Sequence, residues 1–163
     1  MSFNKILAYN VESLLEDHLK KIEPDFNTMK HNYFILGSCN GLLCLLLQYN
    51  LNFVILWNPF LDLKSKASPT LVSHFGENDH LSCYGFGYDQ VNLRYKVLIA
   101  CINIDDFSEI VTRIYCSGEN NWRTIQNLPG DIDCFPSSDR PVGKCVNGTL
   151  NWVVTIDDYI LRS

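Results

Sequence analysis

Two Asn-Gly steps, Asn40-Gly41 and Asn147-Gly148, each sit between apolar runs, and no other feature constrains the fold as tightly. Asn-Gly reaches positive φ at low cost, which a two-residue type I′ turn between antiparallel strands requires. The rest of the chain follows the same grain. Apolar or β-branched runs of about five to nine residues alternate with clusters of Gly, Asn, Asp and Pro. Residues 33–39 run into the first step and residues 42–47 run out of it. A turn at 49–52 leads into residues 53–57, which stop at Asn58-Pro59 because proline cannot donate to a ladder. The run Leu42-Leu-Cys-Leu-Leu-Leu47 does not alternate, so that strand is predicted to be buried on both faces.

After a loop over residues 61–80, Tyr84-Gly-Phe-Gly-Tyr88 alternates aromatics with glycines. The glycines are read as positions that admit a close neighbour. Residues 89–93 connect it to a strand over 94–102, and 103–108 turn the chain into 109–116. Residues 117–121 turn it again into 122–125, and an irregular stretch runs to Pro141. Residues 142–146 and 149–155 flank the second Asn-Gly step. About ten strands, with turns every ~8–12 residues, predict an antiparallel all-β architecture. The exception is the N-terminal part. Residues 3–9 read as a strand. Val11, Leu14, Leu15, Leu19 and Ile22 recur at helical spacing, which predicts a short helix over 11–22 ending before Pro24. Residues 1–32 therefore form an N-terminal strand, helix and linker, and 33–163 form the β domain. Two units of ~50 residues, the period of a kelch blade, fit between the Asn-Gly steps.

Composition narrows the function. The chain has 163 residues, 47% of them hydrophobic, with a net charge of −5. It has a core to build and is no disordered tail. Its longest basic run is Lys20-Lys21, so the cluster that neutralises phosphates is missing and nucleic acid is not expected as a partner. No stretch approaches the ~20 apolar residues that span a bilayer, so no membrane association is expected. Asn and Glu interrupt the N-terminus too early for a secretory signal, which points to the cytoplasm or nucleus.

The candidate chemistry is sparse. The seven cysteines are odd in number and contain no Cys-x-x-Cys pair, so neither a disulfide framework nor a zinc site is predicted. Cys44, Cys101 and Cys116 sit in apolar runs and read as small hydrophobes. Asn147-Gly148-Thr149 matches a glycosylation sequon but is better explained as a turn. Gly37-Ser38-Cys39-Asn40-Gly41 has the spacing of a nucleophile elbow, which makes a cysteine hydrolase using Cys39 the enzymatic alternative. That elbow needs a helix leading out and a partner base, whereas His31, His74 and His80 fall in predicted loops. A hairpin uses every residue of the motif. Gly85-Phe86-Gly87 lacks the third glycine and helix start of a phosphate loop. Asp105-Asp106 and Asp157-Asp158 would point to opposite faces of a strand and read as solvated turns. His74 and His80 match no metal spacing. No catalytic, cofactor-binding or metal-binding residues are therefore predicted, and no cofactor. Trp57, Trp122 and Trp152 fall near strand ends, where large rings serve as core wedges or as anchors for a partner, and core packing is the expectation.

The order of these motifs carries a resemblance. It runs through Gly37-Ser-Cys-Asn-Gly-Leu-Leu-Cys44, Leu56-Trp-Asn-Pro59, and Gly85-Phe-Gly-Tyr-Asp89 with Tyr95-Lys-Val97. It continues with Val111-Thr-Arg-Ile-Tyr115, Asn121-Trp-Arg123, and the stretch from Gly143 to Trp152. Over residues 1–155 the chain resembles the F-box-associated, kelch-related interaction domain of plant F-box proteins. The resemblance implies the substrate-recognition part of a Skp1–cullin–F-box ubiquitin ligase adaptor, which binds a protein substrate of unknown identity and makes no bonds itself. The helical F-box is missing, so Skp1 is not expected as a partner. The family's domain usually continues well past the Asn-Gly-Thr-Leu-Asn-Trp motif, so a truncated domain is expected. A stand-alone interaction protein without ligase recruitment is the alternative. At ~50 residues per blade the chain supplies about three blades of an incomplete kelch-like β-propeller. Propellers usually close with four or more blades. Open strand edges, and self-association through them, are the expected consequence.

Overall fold

The computed structural model describes residues 32–49, 51–71, 79–103, 110–125 and 142–151. The predicted strand at 3–9, the helix at 11–22, both Asp-Asp pairs, His31, His74 and Trp152 lie outside them. The described residues contain ten strands and no helix. A four-stranded sheet takes β1 (Asn32–Cys39), β2 (Leu42–Tyr49), β3 (Leu51–Asn58) and β4 (Leu63–Lys64) in sequence order. The second sheet is built from β5 (Asp79–Asp89), β6 (Arg94–Asn103), β7 (Ile110–Cys116), β8 (Arg123–Ile125), β9 (Val142–Val146) and β10 (Thr149–Asn151). Its order is β10-β9-β5-β6-β7-β8.

Within each sheet the strands joined by turns pair antiparallel, as hairpin logic demands, and one pairing is parallel. β9 lies parallel to β5, with Tyr84 opposite Val142 and Gly85 opposite Gly143. The last hairpin thus adds to the edge of the second sheet beyond β5, opposite the edge formed by β8, instead of following β8. His80, expected in a loop, belongs to β5 and faces Ile102 of β6 in the ladder.

Both Asn-Gly steps are turns with positive φ at each central residue. The values are 49° and 74° at Asn40 and Gly41, and 49° and 77° at Asn147 and Gly148. This is the type I′ pattern whose twist suits adjoining strands. Valine at Gly41 or Gly148 is expected to lower stability by about 1–3 kcal/mol through backbone strain. Urea midpoints test this, and a midpoint unchanged in both variants would refute the turn's energetic role.

The buried run in β2 shows how the core is divided. Successive side chains of a strand point to opposite faces. Cys44 and Leu46 therefore join Val54 and Leu56 of β3 and, from the second sheet, Phe86, Val97, Ile99 and Tyr115 in one inter-sheet cluster. Leu45 and Leu47 join Ile55 and Trp57 in another cluster. A leucine run without alternation is what a sheet buried on both sides requires. A bulge in β1 serves the same core. The register passes over Leu36 between Ile35 and Gly37, and Leu36 is fully buried among inter-sheet residues.

The outer edge of β3 is covered by an irregular segment that uses serine hydroxyls as substitute ladder acceptors. Ser65 and Ser68 donate their backbone N–H groups to Leu56 and Val54 carbonyls at 2.8 and 2.9 Å. Their hydroxyl oxygens accept the Leu56 and Val54 N–H groups at 3.0 Å each. Blocking an edge in this way removes a template for pairing with other chains. The Trp122 indole N–H donates to the Pro69 carbonyl at 2.9 Å, tying this segment to the second sheet.

Candidate functional site

Four turns from the two sheets converge at one end of the molecule, and each is held by its own chemistry. Asn40-Gly41 joins β1 to β2, and Asn147-Gly148 joins β9 to β10. At 59–62, between β3 and β4, the Asn58 carboxamide oxygen accepts the Phe60 and Leu61 N–H groups at 3.0 Å each. Asp62 in the same turn accepts the Trp57 indole N–H at 3.1 Å. At 90–93, between β5 and β6, Asp89 accepts the N–H groups of Val91 at 2.9 Å and Asn92 at 3.1 Å. It also takes the Asn92 side-chain amide at 2.7 Å and pairs with the Lys96 ammonium at 2.5 Å. The Asn92 amide first, and Lys96 next, hold the Asp89 carboxyl well below the usual carboxylate range.

Between these turns lies a cleft of about 600 Å³. Ser38, Cys39 and Asn40 line it from one sheet, and Tyr88, Gln90 and Cys145 from the other; Pro59 and Asn147 complete the contribution of the remaining turns. Among the described residues no charged side chain lines it. Beside the lining residues stand large apolar side chains in water. Phe60 is 78% exposed and Val91 89%, and Leu61 and Val146 are exposed as well. Leu93, 72% exposed, has a φ of 53°. That region is costly for a branched side chain and persists only where neighbours over-determine it; here the Asp89 clamp supplies the constraint.

Cys39 ends β1 and is followed by a turn and a strand, so the strand-to-helix geometry of a nucleophile elbow is not met. Burial, then a hydrogen bond to the Cys145 thiol, push the Cys39 thiol up, partly offset by the Tyr88 backbone N–H. That is the opposite of what activates a cysteine nucleophile. Cys44 is fully buried, and burial alone pushes its thiol far above the ordinary range. It is a core residue. Of the tryptophans, Trp57 is fully buried and Trp122 packs on Tyr115 with ring centroids 5.3 Å apart. No group of three or more His, Cys, Asp or Glu among the described residues is placed to hold a metal, and no described helix is long and apolar enough to cross a membrane.

Sequence reading placed the turns but missed the cleft they enclose. In the first sheet, hairpin alternation puts the turns after β1 and β3 at the same end. The turn after β9 joins the one after β5 only because β9 runs parallel to β5, a pairing that no local sequence signal carries.

These features define a class: an all-β scaffold with regular sheets and its distinctive surface concentrated in the turns at one end. The chain belongs to the F-box associated beta propeller domain family, which matches residues 1–162. It is similar to an F-box/kelch-repeat protein of Arabidopsis thaliana, with 31% identity over 134 residues, covering 82% of this chain and 35% of that protein. It is also similar to a putative F-box protein of the same plant, with 32% identity over 137 residues, covering 78% and 35% respectively. The chain spans about a third of the length of these curated relatives. No solved structure gives a significant match.

Proposed function

We propose that the chain is the substrate-recognition part of a Skp1–cullin–F-box ubiquitin ligase adaptor, working in the cytoplasm or nucleus, and that the cleft between the four turns is where a target protein docks. The observation that carries the docking site is the convergence of turns from both sheets around an uncharged cleft with exposed apolar side chains beside it. Solvated apolar groups grouped in this way mark interaction surfaces. An uncharged lining disfavours charged ligands, because a charge buried there would lose its hydration without gaining a partner. The target segment is therefore an uncharged stretch of polypeptide with aromatic or aliphatic anchors beside hydrogen-bonding groups. The chain performs no bond-making chemistry; it raises the local concentration of target near the transfer machinery. Skp1 is engaged by an F-box and not by this chain.

Panning a displayed peptide library against the purified chain tests the docking site. Uncharged sequences with apolar anchors are expected to be enriched. Their affinity should fall by about tenfold or more in a Phe60→Asp/Val91→Asp variant. Enrichment of charged peptides, or indifference to those substitutions, would sink the assignment. Placed behind a working F-box in a reconstituted ligase, the chain should direct ubiquitin onto a carrier bearing the selected peptide. Binding without transfer would favour a stand-alone interaction protein, and tight binding of Skp1 by this chain alone would contradict the division of labour.

A further inference from the structure

The cleft contains two thiols that the docking reading does not use. β1 and β9 belong to different sheets, yet each sets a cysteine against the end of β5. A Cβ at Gly37 of β1 would lie 3.1 Å from the Phe86 Cβ. Two residues further along both strands, the Cys39 sulfur receives the Tyr88 N–H. On the other side, the parallel register of β9 with β5 pairs Gly85 with Gly143. Its continuation brings Cys145 beside Gly87, and a Cβ at Gly87 would lie 2.9 Å from the Cys145 Sγ. The missing side chain of Gly87 is the seat of the Cys145 thiol. The two cysteines are therefore held against adjacent residues of β5. They are in hydrogen-bonding contact with each other, both are half-buried and free, and both line the cleft.

We propose that Cys39 and Cys145 form a reversible disulfide that locks the two Asn-Gly turns across the cleft and so makes docking depend on the thiol–disulfide balance. The bond stands on the geometry alone; its effect on docking rests on the proposed function. Asn40 directly follows Cys39, and Asn147 lies two residues after Cys145, so the bridge fixes the spacing of both turns. The oxidant is a low-molecular-weight disulfide. One protein thiolate attacks a sulfur of that disulfide, forming a mixed disulfide and releasing one small thiolate. The second protein thiol gives its proton to solvent, and its sulfur displaces the remaining small thiolate. Two protein thiols become one disulfide, and one small disulfide becomes two thiols. Because the Cys39 thiol is pushed up, closure accelerates as the pH rises above neutrality.

The full chain, equilibrated in oxidised or reduced glutathione buffers, is digested without reduction and mapped by mass spectrometry. A Cys39–Cys145 linked peptide is expected in the oxidised sample and absent after reduction. The thermal midpoint should rise by roughly 5–10 °C on oxidation, and the rise should vanish in Cys39→Ser and in Cys145→Ser. Glutathione retained on either cysteine without closure, or bridges scattered over the other cysteines, would refute the disulfide. The peptide selected by panning is then titrated against both forms. Affinity that differs at least threefold supports control of docking. Equal affinity leaves the bridge standing and refutes the control. No affinity in either form refutes the docking site and, with it, the control, again without touching the bridge.

Discussion

Replacing Trp57 by alanine should lower stability by about 3–5 kcal/mol, as expected when a buried indole is deleted from a packed interior. Its side chain is fully buried, with 0% exposure, in the cluster with Leu45, Leu47 and Ile55. These residues come from two adjacent strands, so the space left by the ring cannot be filled without moving the β2–β3 ladder, in which Trp57 faces Leu43. The substitution also removes the indole N–H that Asp62 accepts at 3.1 Å. It therefore loosens the 59–62 turn that displays Phe60 and Leu61. Phenylalanine keeps much of the apolar volume while losing that donor and part of the fused ring, so it should cost less than alanine. Urea denaturation of both variants, with the slope checked for constancy, measures the difference. A loss below about 1 kcal/mol for Trp57→Ala would mean that the cluster is not packed as described.

Valine at Gly87 should cost about 3 kcal/mol, at the upper end of what overpacking does in a well-filled interior. The β-carbon alone would sit 2.9 Å from the Cys145 Sγ, and 3.3 Å from both the Cys145 Cβ and a Leu150 methyl. The backbone cannot retreat easily, because Gly87 pairs with Lys96 of β6 in the antiparallel ladder. The strain comes from a particular neighbour, so it should be relieved in a particular way. Gly87→Ala combined with Cys145→Ala should cost less than the two single substitutions added together, by about 1 kcal/mol in a double-mutant cycle. Strict additivity would show that Gly87 and Cys145 do not share one space. The pair also bears on the disulfide, since a side chain at Gly87 displaces the Cys145 sulfur from the seat that holds it near Cys39.

Much of this molecule was legible before its coordinates because its local instructions are strong. Asn40-Gly41 and Asn147-Gly148 can turn a strand back at little cost, whatever surrounds them. The non-alternating leucines of β2 announced a sheet covered on both faces, and they divide between two clusters by simple alternation. The motif order identified the family. Three features were not legible. The bulge at Leu36 depends on a core formed with strands far along the chain. The strip over residues 65–68 reads as loop because serine hydroxyls, which carry no strand signal, stand in for carbonyls along β3. Cys145 looked like any cysteine in a short strand, and nothing local ties it to Gly87 or Cys39.

The sequence by itself determined most of the described strands, the two Asn-Gly turns and which side chains of β2 seek the interior, because periodicity and turn chemistry act over a few neighbouring residues. Only the tertiary structure decided that β9 pairs parallel with β5, that four turns share one cleft, and that two cysteines from different sheets meet there. Those outcomes depend on which apolar faces pack together. Many pairings of such faces bury similar area, so the choice is made by the fit of the whole assembly and not by any one segment.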